Sequence, residues 1–154
     1  MRVKHYHIVF TIPHELNHIC LLGSKWFYEK LFASVWETIQ QFGYNRHGVE
    51  SGAVCILHTW GQNLSFHPHI HCIVPALGES FAGNMKSIGS GGKYLYTVRQ
   101  LSLVFRGKLM QKIRELSEKQ SLTELDKDLI MDAWGKPWVV HCEPSMANVY
   151  SGSS

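Results

Sequence analysis

No Cys-x-x-Cys spacing occurs in this chain of 154 residues; its four cysteines, Cys20, Cys55, Cys72 and Cys142, are scattered. That argues against a zinc knuckle and against a disulfide framework, and fits reduced core thiols of a cytosolic protein. No stretch approaches the roughly 18 apolar residues of a membrane span. No basic, then apolar, then small-residue signal opens the sequence. Internal repeats and long heptad runs are missing too, which excludes solenoids and coiled coils. Charge of either sign is sparse: 15 Lys and Arg stand against 12 Asp and Glu, a formal net of +3. Such a balance is compatible with a nucleic-acid partner without demanding one. With 45% hydrophobic and 18% charged residues, the composition is that of one globular domain able to bury a sizeable core.

Histidine is what the chain has in quantity, with ten. Residues 67 to 75 read His67-Pro68-His69-Ile70-His71-Cys72-Ile73-Val74-Pro75. On an extended strand alternate side chains share a face, so His69 and His71 project together while Ile70 and Cys72 face the core. Two neutral imidazoles on one strand make half of a metal site. A second pair, His5 and His7, lies in the expected strand 4–12 and competes for the same role.

The rest of the chain alternates between the two periods. Residues 13–23 read as a loop or short helical turn. Ser24 caps a helix to Phe42 that Gly43 ends, with Phe27, Leu31, Val35 and Ile39 on its buried face. Residues 52–60 are apolar on both faces, which predicts a central strand. A short link joins them to 67–75 as an antiparallel hairpin. Residues 76–92 form a long Gly- and Ser-containing loop, and 93–98 a short strand. Thr97-x-x-Gln100 starts a helix to about Lys119, and Ser121-x-x-Glu124 starts another to Trp134. A last strand spans 138–142, and the chain frays from Pro144. The expectation is an α+β domain over residues 1–144, an antiparallel sheet of about five strands with helices largely on one face, and a flexible tail at 145–154.

A hairpin partner strand would supply the third ligand. With the turn centred near Leu64 and Ser65, His71 lies opposite His58 and His69 opposite Trp60. His58, Trp60 and Gln62 then share the histidine face. The expected ligand set is His69, His71 and Gln62, with His58 in reserve, for Mg²⁺ or Mn²⁺.

Two families resemble this stretch. Gly61-Gln62 followed by His67, His69 and His71 is similar to the histidine-triad nucleotide hydrolases and transferases, but Pro68 stands where they carry a hydrophobic strand residue. His69-Ile70-His71 resembles the HUH single-strand endonucleases, whose "U" is a bulky hydrophobic residue. The wider resemblance is to the two-tyrosine, rolling-circle transposases of insertion sequences. It covers residues 7–17, His-Ile-Val-Phe-Thr-Ile-Pro-His-Glu-Leu-Asn; Leu57 to Leu64 with His67 to Pro75; and Trp138-Val139-Val140-His141-Cys142. It implies an HUH nuclease fold, ferredoxin-like, in a bacterial cytoplasm. It further implies metal-dependent nicking and joining of single-stranded DNA through a 5′-phosphotyrosine. The family's upstream cysteine-rich segment and its downstream helix of paired tyrosines do not appear, so the chain reads as truncated at both ends. Tyr150 lies near the expected nucleophile, and Trp60, Tyr94 and Tyr96 offer aromatic platforms near the site. A module that binds DNA without cutting it is the remaining alternative.

Overall fold

The computed structural model describes residues 2–61, 63–87 and 98–148. Along the chain come β1 (Arg2–Thr11), α1 (Leu16–Leu22), α2 (Ser24–His47), β2 (Val49–Ser51), β3 (Val54–Trp60), β4 (Phe66–Pro75), β5 (Leu77–Ser80), β6 (Met85–Ser87), α3 (Val98–Lys119), α4 (Glu124–Trp134) and β7 (Val140–Asn148). The architecture is α+β. The main sheet is antiparallel throughout, in the order β3-β4-β1-β7. A smaller sheet has the order β2-β5-β6.

Period-two alternation divides the main sheet into two faces. Tyr6, Ile8 and Phe10 of β1 and Ile70, Cys72 and Val74 of β4 are fully buried. Against them pack Phe27, Leu31, Val35 and Ile39 of α2 and Leu101, Phe105 and Leu109 of α3. Phe10 meets Phe105 edge to face at 5.0 Å. Each such side chain contributes about 1.5–3 kcal/mol by leaving water, so this face holds the domain together. Ser34 and Thr38 are buried in the same interface, and each hydroxyl donates to the carbonyl one turn earlier, at 2.7 and 2.6 Å. Neither therefore carries the cost of an unpaired buried polar group.

The odd positions of β1 and β4 face the other way. His5, His7 and Val9 are half-buried there, as are His67, His69 and His71. Register arranges this face in rows. One row runs His58, His69, Thr11; the next Ile56, His71, Val9, His141; the third Val54, Ile73, His7, Glu143.

Several expectations need correction. β3 is an edge strand among the described residues, not a central one. Its apolar character on two faces is real, but Val54, Ile56 and Trp60 are exposed on the histidine side. Helix α2 runs through Gly43 to His47 and stops at Gly48, whose φ of +60° suits glycine. Gly43 serves close packing instead: a Cβ there would lie 2.6 Å from Ser51 Oγ. Part of the expected 76–92 loop is β5 and β6, and their antiparallel ladder with β2 builds the second sheet. Residues 88–97, with most of the expected strand 93–98 and the Thr97 cap, lie outside the described residues; Val98 begins α3. The cap of α4 is Thr123, not Ser121. Thr123 Oγ1 accepts from the Asp126 amide and Asp126 Oδ2 accepts from the Thr123 amide, both at 3.1 Å. β7 continues past 142, and past the expected boundary at 144, to Asn148, where it pairs with Arg2. Pro144 sits in β7, which among the described residues is an edge strand, the place in a sheet where proline is tolerated.

Candidate metal centre

β4 delivers His69 and His71 to one face because they are two residues apart on a continuous strand. Packing of Ile70 and Cys72 against the helices fixes which face that is. β3 then adds His58. One ring nitrogen from each of His58, His69 and His71 lies within 4.8 Å of the others, so the three could hold a metal ion. Ring centroids are 4.3 Å apart for His58 and His71, 5.3 Å for His58 and His69, and 5.0 Å for His69 and His71.

The hairpin register differs from the expected one. His58 lies opposite His69, and Ile56 opposite His71. The cause is the connection. Gly61 N–H donates to Ser65 O at 2.8 Å, Leu64 takes a φ of +60°, and Asn63 Oδ1 accepts from the Ser65 hydroxyl at 2.6 Å. The ladder is irregular between His58 and Trp60, which pairs with Phe66. The slip is two residues, so the parity of the face survives and His58 still joins the pair. Gln62 and Tyr150 lie outside the described residues.

Two of the three rings are oriented by partners. His69 Nδ1 lies 2.6 Å from the carbonyl oxygen of His67. A carbonyl can only accept, so Nδ1 carries the proton and Nε2 keeps its lone pair. His71 Nδ1 lies 2.9 Å from His7 Nε2, and these rings stack at 5.1 Å. Burial, with the neighbouring imidazoles of His58, His69 and His7, holds the His71 pKa below the usual histidine range. Burial and His69 lower that of His67. Both effects favour the neutral ring, the form that ligates metal. A cluster of neutral imidazoles fits a divalent transition-metal ion.

The rival pair on β1 is split by its partners. His7 reaches His71. His5 lies opposite Pro75 and lines a cavity of about 600 Å³ with Trp36, Glu50 and Glu79. By sequence spacing alone His7 competes with the β4 pair; in the fold it is a neighbour of His71. The available signal was its odd-position alternation on an apolar strand; the missing information was that β1 pairs with β4.

Residues 52–151 match the Y2_Tnp family, described as "Putative transposase". "Putative transposase y4qJ" of Sinorhizobium fredii is 32% identical over 160 residues, covering 96% of this chain and 40% of that protein. "Transposase for insertion sequence element IS801" of Pseudomonas savastanoi pv. phaseolicola is 29% identical over 147 residues, covering 92% of this chain and 35% of that protein. The chain thus spans well under half the length of these relatives. Among solved structures, the conjugative relaxase TrwC in complex with mutant oriT DNA superposes with a TM-score of 0.54 at 12% identity, over 77% of this chain and 47% of that one. A copper-bound TrwC complex with oriT DNA gives 0.55 at 10% identity, over 85% and 63%. Among the described residues no helix is long and apolar enough to cross a membrane. The family match over 52–151, joined to a relaxase-like sheet that presents His69-Ile70-His71, places this chain in the Y2_Tnp transposase family with the fold of an HUH nuclease.

Proposed function

We propose that this domain nicks and rejoins single-stranded DNA at insertion-sequence ends, with a divalent metal ion held by His58, His69 and His71. One observation carries the reading: three imidazoles converge within 4.8 Å on the sheet face that the helices leave open. A bound ion would polarise the scissile phosphodiester as a Lewis acid. Imidazole donors favour Mn²⁺ over Mg²⁺, which prefers oxygen. Gln62 is retained as an additional oxygen donor. The ring of His69, fixed by the His67 carbonyl, presents its Nε2 lone pair without reorganisation. Trp60, exposed beside Phe66, supplies a stacking surface for a base. The TrwC complexes with oriT DNA support a DNA partner for the same fold.

The proposed nucleophile is Tyr150. Its Oη would bond to phosphorus as the bond from phosphorus to the 3′ oxygen breaks. A 5′-phosphotyrosine and a free 3′-hydroxyl result, the tyrosine proton leaving and the 3′ oxygen taking one up. Three tyrosines are used elsewhere: Tyr6 is buried on the helical face, Tyr28 sits beside Cys20, and Tyr44 packs on Phe81. That engagement leaves Tyr94, Tyr96 and Tyr150 as candidate nucleophiles; if none serves, the domain is a module that binds DNA without cutting, the second reading.

Incubation with Mn²⁺ and end-labelled single-stranded DNA, resolved on a denaturing gel, separates the two. The expected result is a metal-dependent, protein-linked band that His71→Ala and Tyr150→Phe abolish. Binding with neither adduct nor cleavage supports the second reading. Cleavage that persists in His71→Ala contradicts the first.

A further inference from the structure

We propose that His7 is a positioning residue for His71: by accepting a hydrogen bond from His71 Nδ1, it selects the tautomer whose Nε2 is free to ligate. This role rests on the metal reading above. The observation is the 2.9 Å approach of His7 Nε2 to His71 Nδ1, with the two rings stacked at 5.1 Å. A pair of neutral imidazoles so placed shares one proton between these nitrogens, and only one arrangement suits a ligand. With the proton on His71 Nδ1, Nε2 of His71 carries a lone pair. With it on His7 Nε2, His71 Nε2 is an N–H and cannot bind a metal.

His69 solves the same problem with a backbone carbonyl, which can only accept. His71 has a side chain in that place, supplied by a strand 64 residues away in sequence. His7 is well held for the task. Its neighbours Tyr6 and Ile8 are fully buried, and β1 lies between β4 and β7, so the backbone beneath it is paired on both sides. In the register His7 stands opposite Ile73, one step along from His71, and so reaches it diagonally across the strands. Outer-shell partners of ligating histidines act in this way, and their loss costs roughly 10–100-fold in metal affinity.

The test compares the full chain with three variants in Mn²⁺ calorimetry, with circular dichroism to check folding. His7→Ala should weaken binding roughly 10–100-fold. His7→Phe keeps a stacking ring without an acceptor and should lose as much. His7→Gln restores an acceptor oxygen and should recover most of the affinity. Nitrogen-15 spectra of the metal-free protein should show His71 protonated at Nδ1 in the wild type and as mixed tautomers in His7→Phe, a change that packing alone would not produce. Unchanged affinity in His7→Phe, or His71 protonated at Nε2 in the wild type, overturns the role of His7 and leaves the metal site standing. A wild type that binds no Mn²⁺ overturns the metal reading and this role together.

Discussion

The two faces of β4 differ in almost everything but their backbone. On one, Ile70, Cys72 and Val74 are fully buried against the helices; on the other, His67, His69 and His71 are half-buried and Ile73 is 46% exposed. The thiol of Cys72 lies 3.0 Å from that of Cys55, and this hydrogen bond, with burial, pushes the Cys72 thiol above its ordinary range. On the other face burial and neighbouring imidazoles favour the neutral form of His67 and His71, and the His67 carbonyl orients the ring of His69. A strand thus separates stability from chemistry residue by residue, and the apolar face fixes the register that the polar face needs.

Substitutions should respect that division. Replacing both His69 and His71 by Ala should cost more Mn²⁺ affinity than the roughly 10–100-fold of an outer-shell loss, with the thermal midpoint of the metal-free protein nearly unchanged. Strong loss of stability in that variant would blur the two faces. Ile70→Ala should do the reverse: urea unfolding should show about 2–5 kcal/mol lost, while the folded fraction still binds metal. Thr123→Ala removes the α4 cap and should cost about 1 kcal/mol in the same assay, far from either face.

The pH response has a definite sign. The Thr123 amide, opposed by burial and aided by the Thr123 hydroxyl and His18, holds the Asp126 carboxyl below the usual aspartate range. Its stabilising share is therefore complete above the unfolded pKa of about 3.9, and is lost as pH falls through the lower folded value. Asp126→Asn should flatten that acid limb in a series of melts. The smallest effect should come from Lys112→Ala. Its 2.6 Å pair with Glu37, which bridges α3 and α2, lies on the surface and should be worth less than about 1 kcal/mol.

Local periodicity made much of this legible. The alternation in 67–75 predicted the strand and its two faces, and the four-residue spacing of Phe27, Leu31, Val35 and Ile39 predicted the buried stripe of α2. What the chain hid was long-range. Pairing of β1 with β4 brings His7 to His71, and nothing local to either strand announces it. The hairpin register depends on the left-handed Leu64 and the Asn63–Ser65 hydrogen bond, which place His58 opposite His69 and not opposite His71 as strand spacing alone predicts. Apolar residues on both faces suggest a central strand for β3, yet Val54, Ile56 and Trp60 are exposed, and among the described residues β3 is an edge.

Mn²⁺ titration of single-histidine variants, read by calorimetry, tests the account most directly. The three-imidazole centre predicts that the wild type binds one ion per chain, that His58→Ala, His69→Ala and His71→Ala each lose it, and that His5→Ala binds as the wild type does. Wild-type binding in His58→Ala, or loss of the ion in His5→Ala, would contradict it.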